Sequence, residues 1–146
     1  MKIFKRKPHL PTDLQVLEAI FSRYYDVFSS YKPGSAGADR ESKVYVPIDI
    51  VAVARDLRTD ADLLFGRLYN DLQKRYGYRD EREDSEVPFF ALGVGQKDKH
   101  VVHFPYLAAV LALLRAEHTK HRTAIWIAIV SLVLSIVSIV VAVVKK

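Results

Sequence analysis

A run of 21 residues, 124–144, carries no charged side chain and reads AIWIAIVSLVLSIVSIVVAVV. As an α-helix this run spans roughly 31 Å, which matches the hydrocarbon core of a bilayer. Hydrocarbon offers backbone N–H and C=O groups no partner, so a membrane-spanning segment must be helical despite its many Ile and Val residues. The sequence therefore predicts a single transmembrane helix over 124–144. The alternative is a buried core helix or hairpin, although the segment contains no turn-forming residues.

Cationic residues flank this segment on both sides. They are Arg115, Lys120 and Arg122 before it, and Lys145 and Lys146 after it. Positive charge favours the cytoplasmic face of a membrane, and the first residues, MKIFKRKPHLPTDL, lack the apolar core of a secretory signal. We therefore expect a tail-anchored protein: the N-terminal part in the cytoplasm, a juxtamembrane linker at 119–123 and a short tail at 145–146.

Small residues recur along the apolar segment at alternating spacings of four and three. They form what we call the small-residue stripe: Ala124, Ala128, Ser131, Ser135, Ser138 and Ala142. A period of about 3.5 residues is typical of the seam between two helices in a left-handed pair. Small residues let backbones approach closely, and serine hydroxyls can bond across the contact. We expect self-association through this stripe. The alternative is that each hydroxyl bonds to a carbonyl of its own helix.

A basic arm, residues 1–10, opens the chain. Its cations are Lys2, Lys5, Arg6 and Lys7. Together with the cations that flank the apolar segment, they are expected to lie beside anionic lipid headgroups, because each cation near such a surface gains about 1 kcal/mol. The alternative for the arm is a solvated chain end that contacts nothing.

The residues between the arm and the apolar segment predict alternating helices and strands. Thr12 and Gln15 fit a capping box that opens a helix over about 12–31. The elements expected after it are a strand at 44–46, a helix opened by Pro47, a second helix capped by Thr59 and ending at Tyr76, a charged loop at 79–86, two strands at 89–94 and 101–104 joined by a turn at 95–99, and a last helix from Pro105 to about Glu117.

Two stretches of this region resemble known motifs. AVARDLRTDADLLFGRLYNDLQKRYG resembles a helix-turn-helix, and FFALGVGQKDKHVVHF resembles the wing that follows one. Residues 44–104 together resemble the winged-helix fold in pattern and in element lengths. The fold class that we expect is α+β: a cytosolic winged-helix-like domain over 11–118, with an N-terminal helix, a helix-turn-helix, a β-hairpin and a C-terminal helix, followed by the single transmembrane helix.

Charge bears on whether such a domain binds DNA, because affinity for DNA is built mainly on neutralising phosphates. Residues 10–114 carry a net charge of −3, and the candidate recognition helix, 60–76, has three acidic and three basic residues. Nucleic acid is therefore not the partner that we expect. A membrane-tethered DNA-binding regulator remains an alternative, with a limited basic edge made of Arg67, Asn70, Lys74, Lys97 and Lys99.

No catalytic pattern stands out in the sequence. The absence of cysteine excludes a thiol nucleophile, a disulfide scaffold and Cys-ligated metal sites. His100 and His103 lie on opposite faces of an expected strand, and Glu117, His118 and His121 offer too few ligands for a metal. We expect no enzyme activity and no cofactor.

The function expected is a protein-interaction or effector module held at the membrane, with membrane lipid, further copies of the chain and an unidentified protein as partners. A second alternative, beside the DNA-binding regulator, is a membrane-disrupting, pore-forming bacterial toxin or antiphage effector.

Overall fold

The computed structural model describes residues 10–32, 40, 42–80, 85–92 and 100–144. Its helices are α1 (Asp13–Ser29), α2 (Ile50–Asp56), α3 (Ala61–Gly66), α4 (Gln73–Tyr76) and α5 (Phe104–Val144), with a π-helical turn (Arg67–Leu72) between α3 and α4. Its strands are β1 (Tyr45–Ile48), β2 (Tyr78–Asp80), β3 (Ser85–Val87), β4 (Phe90–Leu92) and β5 (His100–His103). The chain is therefore α+β, as predicted. It divides into two compact units, Met1–Leu111 and Ala112–Lys146.

The predicted capping box opens α1. The Thr12 hydroxyl accepts a hydrogen bond from the Gln15 backbone N–H at 3.3 Å, and the Gln15 side chain accepts one from the Thr12 backbone N–H at 2.9 Å. Two of the four N–H groups that a helix start leaves unpaired are satisfied in this way. The prediction of this helix is confirmed, although α1 ends at Ser29 rather than at 31.

Three antiparallel strands form the main sheet in the order β1–β5–β4. Val102 of β5 lies opposite Val46 on one side and Phe90 on the other, so the three side chains share a register row. This confirms the predicted β4–β5 hairpin, whose turn at 95–99 lies outside the described residues.

The expectation of a charged loop at 79–86 is wrong, because β2 pairs with β3 and Tyr78 lies opposite Val87. The prediction failed because the charged residues of 79–86 are typical of a loop rather than of a strand.

The segments α3, the π-helical turn and α4 follow one another without a break, and we call them the helix 61–76. The core of the first unit lies between α1, the main sheet, the helix 61–76 and the first two turns of α5. Phe104 joins the start of α5 to α1, since its ring stacks on Phe21 and Phe28 with ring centroids 5.3 and 4.7 Å away. The largest fully buried side chains of this core are Phe89, Phe104, Leu17, Ile20, Leu64, Leu68, Leu72, Leu107, Leu111, Val16, Val46 and Val53. Burying a Leu- or Phe-sized side chain stabilises a fold by about 1.5–3 kcal/mol.

The turn between α2 and α3 depends on an unusual backbone conformation. Arg58 has a φ of 53°, in the left-handed region that glycine adopts at least cost. The Thr59 N–H bonds to the Ala54 carbonyl and the Arg58 N–H to the Arg55 carbonyl, which is the Schellman pattern that ends a helix. The carbonyls that α2 would leave unpaired are thereby satisfied, with arginine in the usual glycine position.

The caps of α2 and α3 differ from those expected. Pro47 lies within β1 and does not open α2, which is capped instead by the Asp49 carboxylate. The cap of α3 is Asp60 rather than Thr59, because the turn just described continues through Thr59.

Replacing Arg58 by glycine is expected to stabilise the first unit by about 1 kcal/mol, because glycine removes the steric cost of the left-handed conformation. The matched control is Arg55→Gly, which places glycine in the last turn of α2 and should destabilise by about 1 kcal/mol. Thermal unfolding followed by circular dichroism measures both changes. A loss of stability in Arg58→Gly equal to that in Arg55→Gly would contradict the assignment.

The helix α5 is continuous through residues 119–123, the expected linker, and through the whole apolar segment as far as Val144. The last helix of the domain and the predicted transmembrane helix are thus one helix of 41 residues, rather than two joined by a break near Glu117.

Candidate interaction surfaces

The helix α5 has two parts with different surroundings. Its first turns lie in the core: Phe104, Leu107, Val110 and Leu111 are at most 5% exposed. From residue 112 onward, none of the described side chains is buried, and Trp126 and Leu134 are 64% and 61% exposed. The part of α5 from Phe104 to Val140 is long and apolar enough to cross a membrane by length and composition.

The serine hydroxyls of the small-residue stripe bond within their own helix. Each donates to the carbonyl four residues earlier at 2.9 Å: Ser131 to Ile127, Ser135 to Ser131 and Ser138 to Leu134. This is the alternative stated above for the hydroxyls. The stripe therefore presents small side chains to its surroundings, with the hydroxyl protons already engaged. The side chain of Ala142 lies outside the described residues.

The cations that precede the apolar segment, Arg115, Lys120 and Arg122, are exposed on α5. The other cations expected at the membrane surface lie outside the described residues: Lys2, Lys5, Arg6, Lys7, Lys145 and Lys146.

The candidate recognition helix uses part of its positive charge within the fold. Arg67 pairs with Asp13 of α1 through Nε, 3.1 Å from the carboxylate, and through Nη2. Arg75 also pairs with Asp13, and it donates to Asp71 at 2.8 Å. The carboxylate of Asp13 is only 14% exposed, so the two arginines and two carboxylates form one neutral network that joins α1 to the helix 61–76.

The other members of the possible nucleic-acid edge are distributed differently. Asn70 and Lys74 are exposed, whereas Lys97 and Lys99 lie outside the described residues. Because Asp13 compensates the charge of Arg67, this arginine contributes little positive charge to such an edge. Sequence reasoning missed this pair because its partners are 54 residues apart.

The π-helical turn sets which residues of the helix 61–76 share a face. Leu64, Leu68 and Leu72 are at most 2% exposed, although steps of four residues drift by about 40° each in a regular α-helix. A π-helical turn absorbs one extra residue and so keeps the three leucines in line.

Two polar side chains, Tyr69 in this turn and Gln73 just after it, form hydrogen bonds with the backbone of β4. The Tyr69 hydroxyl lies 3.0 Å from the Ala91 carbonyl and 2.9 Å from His100 Nδ1. The Gln73 side-chain carbonyl accepts a 2.7 Å hydrogen bond from the Phe90 N–H. Burial raises the pKa of Tyr69 to about 12, so this hydroxyl keeps its proton. The hairpin strand is therefore attached to the helix by hydrogen bonds as well as by apolar packing.

An apolar cleft of about 330 Å³ lies at the start of α5 in the first unit. Its lining residues are Tyr78, Val87, His103, Pro105, Tyr106 and Ala109. His103 caps α5, because its Nδ1 accepts a hydrogen bond from the Tyr106 N–H at 3.2 Å. Burial lowers the pKa of His103, and the positive end of the helix dipole also favours the neutral ring. The two strand histidines contact different neighbours, Tyr69 for His100 and Tyr45 for His103.

The cap predicts a pH dependence of stability. Because the folded pKa of His103 lies below its unfolded value of about 6.5, its contribution is complete above pH 6.5 and is lost as the pH falls from there through the folded pKa. His103→Asn keeps a side-chain cap that does not titrate, so it should remove this loss between pH 7 and 5. His103→Ala should cost about 1 kcal/mol already at pH 7. Unfolding curves at several pH values measure this. An unchanged pH dependence in His103→Asn would refute the assignment.

Within residues 10–32, 40, 42–80, 85–92 and 100–144, no group of three or more His, Asp or Glu side chains is placed to hold a metal ion.

Comparisons of this chain with protein-family models, with curated proteins and with solved structures find no match.

Proposed function

We propose that this chain is a single-pass membrane protein, anchored by the apolar part of α5, with its first unit in the cytoplasm as a protein-interaction or effector module. Copies of the chain associate through the small-residue stripe. Confinement to one membrane raises the effective concentration of the modules, so that a modest affinity between a module and its partner suffices.

The observation that carries the anchorage is the change of surroundings along α5. Core residues occupy its first turns, yet no side chain of the described chain covers residues 124–140. Apolar surface exposed to water costs about 25 cal/mol per Å², and lipid removes this cost. A continuous helix also satisfies every backbone group inside the bilayer.

The order of the elements supports a winged-helix module. The helix α1, the strand β1, the helix pair α2 and 61–76, and the hairpin β4–β5 follow one another, and β5 lies between β1 and β4 in the sheet. The hairpin β2–β3 is an addition between the second helix of the pair and β4.

The exposed face of the helix 61–76 supports a protein partner over nucleic acid. Six residues of this helix are exposed, which gives one acidic, two apolar, one neutral polar and two basic side chains: Asp62, Leu63, Phe65, Asn70, Lys74 and Arg75. A surface that binds DNA is expected to be locally basic, whereas this mixture is typical of a protein-binding surface. With Arg67 and Arg75 paired to Asp13, little positive charge remains for phosphates.

Fractionation tests the anchorage. The full chain should sediment with membranes and resist extraction by alkaline carbonate, because its apolar helix is inserted. A variant that ends at Arg122 should stay in the supernatant, because the first unit has its own core. Recovery of the full chain in the carbonate supernatant would contradict the anchorage. A truncated variant that still sediments as folded protein would assign the anchorage to another segment.

The self-association should depend on size rather than on hydroxyl groups, since each serine proton is already bound to its own helix. Ser131→Leu with Ser135→Leu should abolish crosslinked oligomers in membranes, because the larger side chains separate the backbones. The matched control, Ser131→Ala with Ser135→Ala, keeps the small size and should leave the crosslinked ladder intact.

Two results of that experiment would count against the proposal. A ladder unchanged by the leucine pair would mean that the stripe is not the contact. Equal loss in the alanine pair would mean that hydroxyls bridge the helices instead.

A further inference from the structure

A second stripe runs along α5 just before and into the apolar segment. At about 100° per residue, His118, Arg122 and Trp126 all lie within about 60° of Arg115 around the helix. All four side chains are exposed, Trp126 by 64%. We call Arg115, His118 and Arg122 the cationic stripe, after its two arginines. Trp126 continues this stripe one turn into the apolar segment.

The small-residue stripe lies on the opposite side of the same helix. Ala124, Ser131 and Ser135 are about 160–200° away from Arg115 around the axis. Glu117 and Lys120 lie on that opposite side as well, at about 200° and 140°. A helix that packs on a neighbour through its small residues therefore turns the cationic stripe outward, toward lipid.

The heights of these residues along the helix match the layers of a membrane. With a rise of 1.5 Å per residue, Arg122 lies about 3 Å and His118 about 9 Å before Ala124, whereas Trp126 lies about 3 Å beyond it. The polar layer on each side of the hydrocarbon is about 5–7 Å thick. Arg122 thus lies at the level of the headgroup phosphates, His118 lies just outside this layer, and Trp126 lies at the interface where aromatic rings are enriched.

We propose that the cationic stripe binds the headgroup of an anionic phospholipid, with Arg122 as the principal contact. The guanidinium group donates two parallel hydrogen bonds to a phosphate, and the ring N–H of His118 supplies a further donor one turn away. This inference rests on the proposed membrane anchorage, and it adds the class of lipid and the face of the helix that binds it.

Charge complementarity selects an anionic over a zwitterionic headgroup. The cationic stripe contains no carboxylate, since Glu117 lies on the other side of the helix. A zwitterionic headgroup would bring its own cation close to Arg122, whereas an anionic headgroup brings only negative charge and uncharged hydroxyls. Cations near an anionic surface are favoured in just this way.

The single tryptophan of the chain makes the test direct. The full chain is reconstituted in vesicles of phosphatidylcholine with a minor fraction of phosphatidylglycerol, and brominated acyl chains are placed on one lipid or on the other. Bromine quenches the fluorescence of a nearby indole. We expect Trp126 to be quenched more, per mole of brominated lipid, when phosphatidylglycerol carries the bromine.

Two variants with the same change of net charge separate a site from general attraction. Arg122→Gln should lower the preference for phosphatidylglycerol about two- to fivefold. Lys120→Gln, on the opposite side, should lower it less, because Lys120 contributes only the general attraction of a cation to an anionic surface. Equal effects of the two variants, or no preference in the parent chain, would overturn the inference while leaving the anchorage intact. A lack of quenching by either lipid would overturn the anchorage and this inference together.

Discussion

The apolar surface of α5, which no described residue of the chain covers, is the feature on which our interpretation of the whole structure depends. A soluble fold would bury such residues against other elements, yet the first unit completes its core with only the first two turns of this helix. The length and composition of this helix are compatible with a membrane anchor, and hydrocarbon would accept its apolar side chains while the helix satisfies its own backbone.

The first unit is held together by contacts that cross large distances in sequence. Phe104 stacks on Phe21 and Phe28, and Asp13 pairs with Arg67 and Arg75. These contacts fix α1 to the start of α5 and to the helix 61–76. The module therefore has a structure of its own, which the proposed function requires of a domain that presents a surface to a partner.

Local signals in the sequence were sufficient for many elements. The capping box at Thr12, the apolar spacing of α1 and the β4–β5 hairpin depend on residues close in sequence, and the structure agrees with these three. The apolar segment is helical as expected, but it is the end of one longer helix rather than a separate one. The hairpin β2–β3 was not predicted because charged residues on short strands resemble a loop in the sequence. The left-handed conformation of Arg58 was not predicted, because glycine is the usual sequence signal for that conformation.

The candidate surfaces were harder to predict than the elements. The small-residue stripe follows from spacing alone, but the engagement of the serine hydroxyls depends on rotamers that no spacing specifies. Arg67 belonged to the basic edge of the DNA-binding alternative, and its pairing with Asp13 depends on the tertiary packing of α1. The cap by His103 likewise requires β5 to run directly into α5.

Hydrogen–deuterium exchange of the α5 amides in lipid bilayers tests the central claim most directly. Residues 112–122 and 124–140 belong to one continuous helix, and all of them except the half-buried Leu114 are exposed within the chain, so a large difference in exchange would come from the surroundings. The account predicts that amides of 124–140 resist exchange for far longer than those of 112–122. Equal exchange rates in the two segments would contradict it.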